Sequence, residues 1–93
     1  MVITGKTGTG FEYSIDNDCL KDAEFLELYA EVSKGGEGGM RIFELLNNIF
    51  GNEQKKKLYD HCRNESGRVP IDALTAEITD VFTALGENPA TKN

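Results

Sequence analysis

From Ile71 to Leu85 apolar residues recur at three- and four-residue steps (Ile71, Leu74, Ile78, Val81 and Leu85), with Phe82 alongside, until Gly86. Side chains spaced in this way share one face of a helix. A stripe of this kind holds only against another apolar surface, so the rest of the chain has to supply one. Pro70 fits the first turn of the helix, and Asp72 sits where negative charge favours the helix dipole, which predicts a helix over 70–85.

Glycine and asparagine divide the remainder. Phe11, Tyr13 and Ile15 alternate with Glu12, Ser14 and Asp16, and the turn-rich stretch Gly5 to Gly10 precedes them, which predicts a β-hairpin over 1–16. An isolated two-stranded hairpin is marginal in water, so its aromatic face has to pack on a helix or on another chain. Asp16, Asn17 and Asp18 supply capping oxygens for a helix over 18–33, whose apolar arc (Leu20, Phe25, Leu28, Tyr29, Val32) is wide enough to cover two surfaces. Gly35-Gly36-Glu37-Gly38-Gly39 reads as a loose connection and a candidate hinge. A short apolar helix over 40–50 carries Ile42, Phe43, Leu45, Leu46, Ile49 and Phe50, and Gly51 ends it. Asn52 caps a further helix over 52–65 with a narrow face of Leu58, Tyr59 and Cys62. With 93 residues the expected fold is α+β and mainly helical: an N-terminal β-hairpin packed on a bundle of about four α-helices, residues 1–86 as one domain and 87–93 as a flexible tail.

Charge narrows the partners. Sixteen acidic against ten basic residues give a net charge of −6, which opposes nucleic-acid binding by a concentrated positive surface. Glu12, Asp16, Asp18, Asp22, Glu24, Glu27, Glu31 and Glu37 form an acidic front, whereas Lys55, Lys56, Lys57, Arg63 and Arg68 form a basic patch. Solvated helix faces, pairing within the chain and head-to-tail association all fit this asymmetry. No apolar run reaches the length of a secretory signal or of a membrane helix, so the chain is expected in the cytoplasm, away from membranes.

Motifs for chemistry fail on spacing. Gly5-Lys6-Thr7 ends like a phosphate-binding loop, but that loop's first glycine would fall ahead of the sequence; Gly8-Thr9-Gly10 opens a dinucleotide fingerprint, but Tyr13 stands where its third glycine belongs. Both read as a hairpin turn. His61 and Cys62 are adjacent on a helix, so their side chains diverge by about 100° and do not form a nucleophile–base couple unaided. Cys19 and Cys62 lack zinc-ligand spacing and read as reduced thiols. The expected protein is not an enzyme and carries no cofactor and no metal.

The segment Gly51 to Arg63 (GNEQKKKLYDHCR), followed by Gly67-Arg68-Val69-Pro70-Ile71 and Glu77-Ile78, resembles small tail assembly chaperones of long-tailed phages and prophages of Gram-positive bacteria. Gly10 to Asp16 and Phe25-Leu26-Glu27-Leu28 resemble the beginning of the same family, so the likeness runs from Gly10 to Phe82. The glycine-rich stretch Gly35 to Gly39 departs from the more regular connection expected of that family. The resemblance implies a chaperone that binds and solubilises the tape measure protein, a long helical chain, before tail tube subunits polymerise around it. It also implies a longer frameshifted form that engages the tail tube protein, work in the bacterial host cytoplasm, and absence from the mature virion. Candidate client contacts are Phe25, Tyr29, Phe43, Phe50, Tyr59 and Phe82. The competing expectation is a small phage-derived structural or regulatory module that forms a homo-oligomer.

Overall fold

A computed structural model describes residues 2–87, and the expected tail over 87–93 lies, past its first residue, outside the described residues. Strands β1 (Val2–Lys6) and β2 (Glu12–Asp16) pair antiparallel, with Ile3 opposite Ile15 and Gly5 opposite Tyr13. Alternation fixes the inward face: Ile3, Tyr13 and Ile15 are buried, while their neighbours point outward. Gly5 is required here because a Cβ at this position would overlap the phenol ring of Tyr13, which crosses the strand. The turn closes through Thr7, whose N–H donates to the Phe11 carbonyl at 2.9 Å while its hydroxyl accepts from the Phe11 N–H at 3.0 Å.

After the hairpin, Asp16 caps a 3₁₀ turn (Asn17–Lys21), accepting from the Asp18 N–H at 3.0 Å. Helix α1 (Ala23–Ser33) therefore begins later than residue 18, because Asp22 is its cap and accepts from the Phe25 N–H at 3.0 Å. The glycine stretch is not a loose linker. Gly36–Gly39 forms a single helical turn, α2, folded back so closely on α1 that its backbone abuts the Glu31 carbonyl.

Among the described residues three α-helices of more than one turn, not four, complete the fold with the hairpin. The two expected over 40–50 and 52–65 are one element, α3 (Ile42–Cys62), broken at Gly51. There φ is 75° and ψ is 169°, a non-helical conformation essentially confined to glycine, so two helical halves meet at a kink. It stops at Cys62 rather than 65 because Asn64 Oδ1 captures the N–H groups of Ser66 (3.0 Å) and Arg68 (3.1 Å) in a local turn. Helix α4 (Ile71–Glu87) starts as the Pro70 carbonyl accepts from Leu74 N–H at 3.1 Å, and it passes through Gly86 instead of stopping there.

One core joins these pieces. Ile15 from the hairpin, Leu45, Leu46 and Leu58 from α3, and Leu74 and Val81 from α4 are the most deeply buried, with Phe25 and Leu28 of α1 closing one side. The stripe read from Ile71 to Leu85 is thus the wall against which the chain folds, although Ile71 itself stays 53% exposed. Two surface ion pairs are local: Arg41 to Glu44 and Arg63 to Asp60 each join residues three apart, at 3.1 Å.

Candidate client-binding trench

The α1 arc covers two surfaces. Phe25 and Leu28 are buried in the core and Leu20 and Val32 pack partly against it, while Leu26 and Tyr29 stay exposed along a shallow trench beside α4. Phe25, Tyr29 and Phe82 meet there. Ring centroids lie 6.0 Å apart for Phe25 and Tyr29, 6.3 Å for Phe25 and Phe82, and 5.4 Å for Tyr29 and Phe82, the last edge to face. These are favourable aromatic separations, so the cluster is preformed. Tyr29 is nevertheless 44% exposed and Leu26 beside it 51%.

Tyr29 and Phe82 form a ridge with a hollow on each side. One, of about 410 Å³, is lined by Tyr29, Val32, Ile42, Leu45, Thr75, Ile78, Thr79, Phe82 and Thr83; the other, of about 280 Å³, by Leu20, Phe25, Leu26, Tyr29, Phe82, Leu85 and Gly86. Neither lining contains a charged side chain, in a chain of which 28% of residues are charged. From Thr75 to Gly86 the α4 bank measures about 17 Å, three helical turns.

Three of the six residues singled out in the sequence are thereby brought together. The others lie elsewhere. Phe50 packs edge to face on Phe11 in the core, with centroids 6.2 Å apart. Phe43 is half-buried against the core, and Tyr59 is half-buried beneath the Lys55 ammonium, 5.5 Å from the ring centre. Comparison of the chain with protein-family models, curated proteins and solved structures finds no match. A role for the trench therefore has to be argued from its own chemistry.

A second cluster was not foreseen. Glu77 is 4% exposed and accepts from the hydroxyls of Thr7 (3.2 Å) and Thr9; His61 Nε2 lies 3.1 Å from the same carboxylate oxygen and 2.9 Å from the Thr9 oxygen. A turn further along α4, Asp80 accepts from the Gly8 N–H at 2.7 Å. The glycine-rich turn thus already holds a carboxylate from its own chain. Hydroxyl and carboxylate meet one ring nitrogen of His61, whereas a proton relay sets them on opposite nitrogens, so the cluster is built to clamp the hairpin to α3 and α4. Its sequence signal was Glu77 itself, an acid on the buried stripe between Leu74 and Val81.

Of the two thiols, Cys62 lies beside Glu77 and Cys19 near Asn48. Cys19 Sγ donates to the Asn48 carbonyl at 3.6 Å, and burial, reinforced by Asp16, Asp22 and Asp18, pushes its pKa up. Burial and then Glu77 do the same for Cys62. Among the described residues no group of three or more His, Cys, Asp or Glu side chains is placed to hold a metal ion, and no helix is long and apolar enough to cross a membrane.

Proposed function

We propose that the trench between α1 and α4 receives the apolar stripe of a helical client, and that this chain is a tail assembly chaperone for a tape measure protein. The observation that carries the reading is the charge-free lining with Leu26 and Tyr29 exposed beside it. Apolar surface of this kind gains from a partner that hides it, and an amphipathic helix laid in a groove does so with residues at three- and four-residue steps. The acidic balance of the chain supplies the complementary half of the task. A complex carrying −6 from each chaperone repels its copies while the client's stripe is covered. The binding is reversible, since tube subunits displace the chaperone as they polymerise in the host cytoplasm and leave it out of the virion; a longer frameshifted form brings the tube protein to the client.

Co-expression with the tape measure protein of the same genetic element tests this. The expected result is a tape measure protein that is soluble and co-purifies with this chain, and is insoluble without it. Thr79→Lys places an ammonium on the exposed α4 bank of the trench and is expected to abolish capture while leaving thermal unfolding nearly unchanged, as for other exposed substitutions. A tape measure protein that stays insoluble, or one captured equally by Thr79→Lys, refutes the assignment.

A further inference from the structure

The two edges of the hairpin are treated differently. Ser14 lies opposite Thr4, one residue away from the hydrogen-bonded pairs, so both residues direct their backbone N–H and C=O groups away from the hairpin. On the β2 side these groups are taken: Ser14 N–H donates to Gln54 Oε1 at 2.6 Å, and Gln54 Nε2 donates to the Ser14 carbonyl at 2.8 Å. One carboxamide stands in for a neighbouring strand. On the β1 side Val2, Thr4 and Lys6 are exposed, and among the described residues no strand pairs with that edge. An open edge of this kind is a template for another strand.

We propose that β1 pairs antiparallel with β1 of a second copy of this chain, about a two-fold axis at Thr4, giving a continuous four-stranded sheet. The side chains select this occupant. Centred on Thr4, the pairing sets Lys6 opposite the partner's Val2 and Thr4 opposite the partner's Thr4, whereas in-register parallel pairing sets Lys6 against the partner's Lys6 and is opposed by like charge. Val2, 60% exposed, comes under the aliphatic stem of the partner's Lys6. On the core-facing side Ile3 meets the partner's Gly5, large against small. The outer face then runs Glu12, Lys6, the partner's Val2, the partner's Asp16, so each lysine keeps an acid beside it on its own hairpin. Four strands also relieve the marginal stability of two. A five-residue seam is small beside interfaces of about 1,600 Å², so the dimer forms with rising concentration rather than as a permanent unit.

Sedimentation of the full chain from about 1 µM to about 500 µM tests the proposal, the range over which a small interface populates its dimer. The expected result is a shift from monomer to dimer mass that Thr4→Pro abolishes. The N–H lost in that variant points outward, so no bond within the hairpin goes with it. Hydrogen exchange on the unmodified chain reads the same seam without a variant: the Thr4 and Lys6 amides gain protection as concentration rises. A monomer throughout, a Thr4→Pro chain that dimerises like the original, or concentration-independent exchange at Thr4 and Lys6 overturns the proposal. The trench contains no β1 residue, so Thr4→Pro still captures the tape measure protein if the chaperone reading holds, and the two ideas fail separately.

Discussion

Cys62 closes α3 half-buried beside Glu77, and Cys19 is half-buried among three aspartates of the 3₁₀ turn and its flanks. Both thiols are held neutral: burial first, and nearby carboxylates second, raise their pKa above the ordinary 9.0. Tyr13 is raised above 10.0 by burial and then Asp80, and Tyr59 by burial. The sign of the pH dependence follows. A group whose folded pKa exceeds its unfolded value contributes stability that is complete below the unfolded value and lost as pH climbs through the folded one. The thermal midpoint should therefore lose these contributions above about pH 9, where the thiols of the unfolded chain ionise first. In Cys19→Ala/Cys62→Ala the alkaline decline should begin about a pH unit later, set by the tyrosines. Scanning calorimetry across that range checks it, and an unchanged alkaline onset in the double variant would count against the thiols. Alkylation at pH 7 should be slow at both sites, because little thiolate is present.

At the scale of elements, Gly51 decides most. Its φ of 75° with ψ of 169° lets α3 change direction. Gly51→Ala should cost about 1–3 kcal/mol, the strain of placing a side chain in that region of backbone space. Urea unfolding measures the loss; a neutral result would mean that α3 tolerates a straighter course. The same residue shows how far the sequence could be read. Glycine followed by Asn52 marked the joint correctly but not whether the chain ends or turns there, since both outcomes favour glycine. The hairpin was legible because alternation of Phe11, Tyr13 and Ile15 admits one inward face, and α4 because its stripe has a helical period. Asp22 does not stand out in the sequence as the α1 cap, because Asp16 and Asp18 offer the same chemistry earlier. Phe25, Tyr29 and Phe82 were picked out by residue type alone, and only tertiary packing distinguishes them from Phe50, which has the same character and lies in the core.

Across the whole molecule, polar ties join the hairpin turn to the last described helix. Glu77 and Asp80 bond residues 68 to 72 positions away in the chain, through Thr7, Gly8 and Thr9. Glu77→Ala removes the carboxylate that accepts from the Thr7 and Thr9 hydroxyls and should destabilise the fold by about 1–3 kcal/mol, the cost of stranding partly buried polar groups. Amide exchange at Gly8 and Phe11 should then rise before exchange in α3, since the clamp loosens the turn first. Uniform loss of protection would show instead that hairpin and helices unfold as one.

These ties also impose an order on biosynthesis. The hairpin precedes every helix of the described fold in chain order, yet the carboxylates that anchor its turn belong to α4, the last of those elements, and its inward face rests on α3 as well as on the α4 stripe. Until Glu77 and Asp80 have emerged, the Thr7–Thr9 turn lacks its carboxylates, although α3 already offers Phe50 to Phe11 and Gln54 to Ser14. Completion of α4 is therefore the step that ties down the hairpin turn, and it joins the two ends of the described fold.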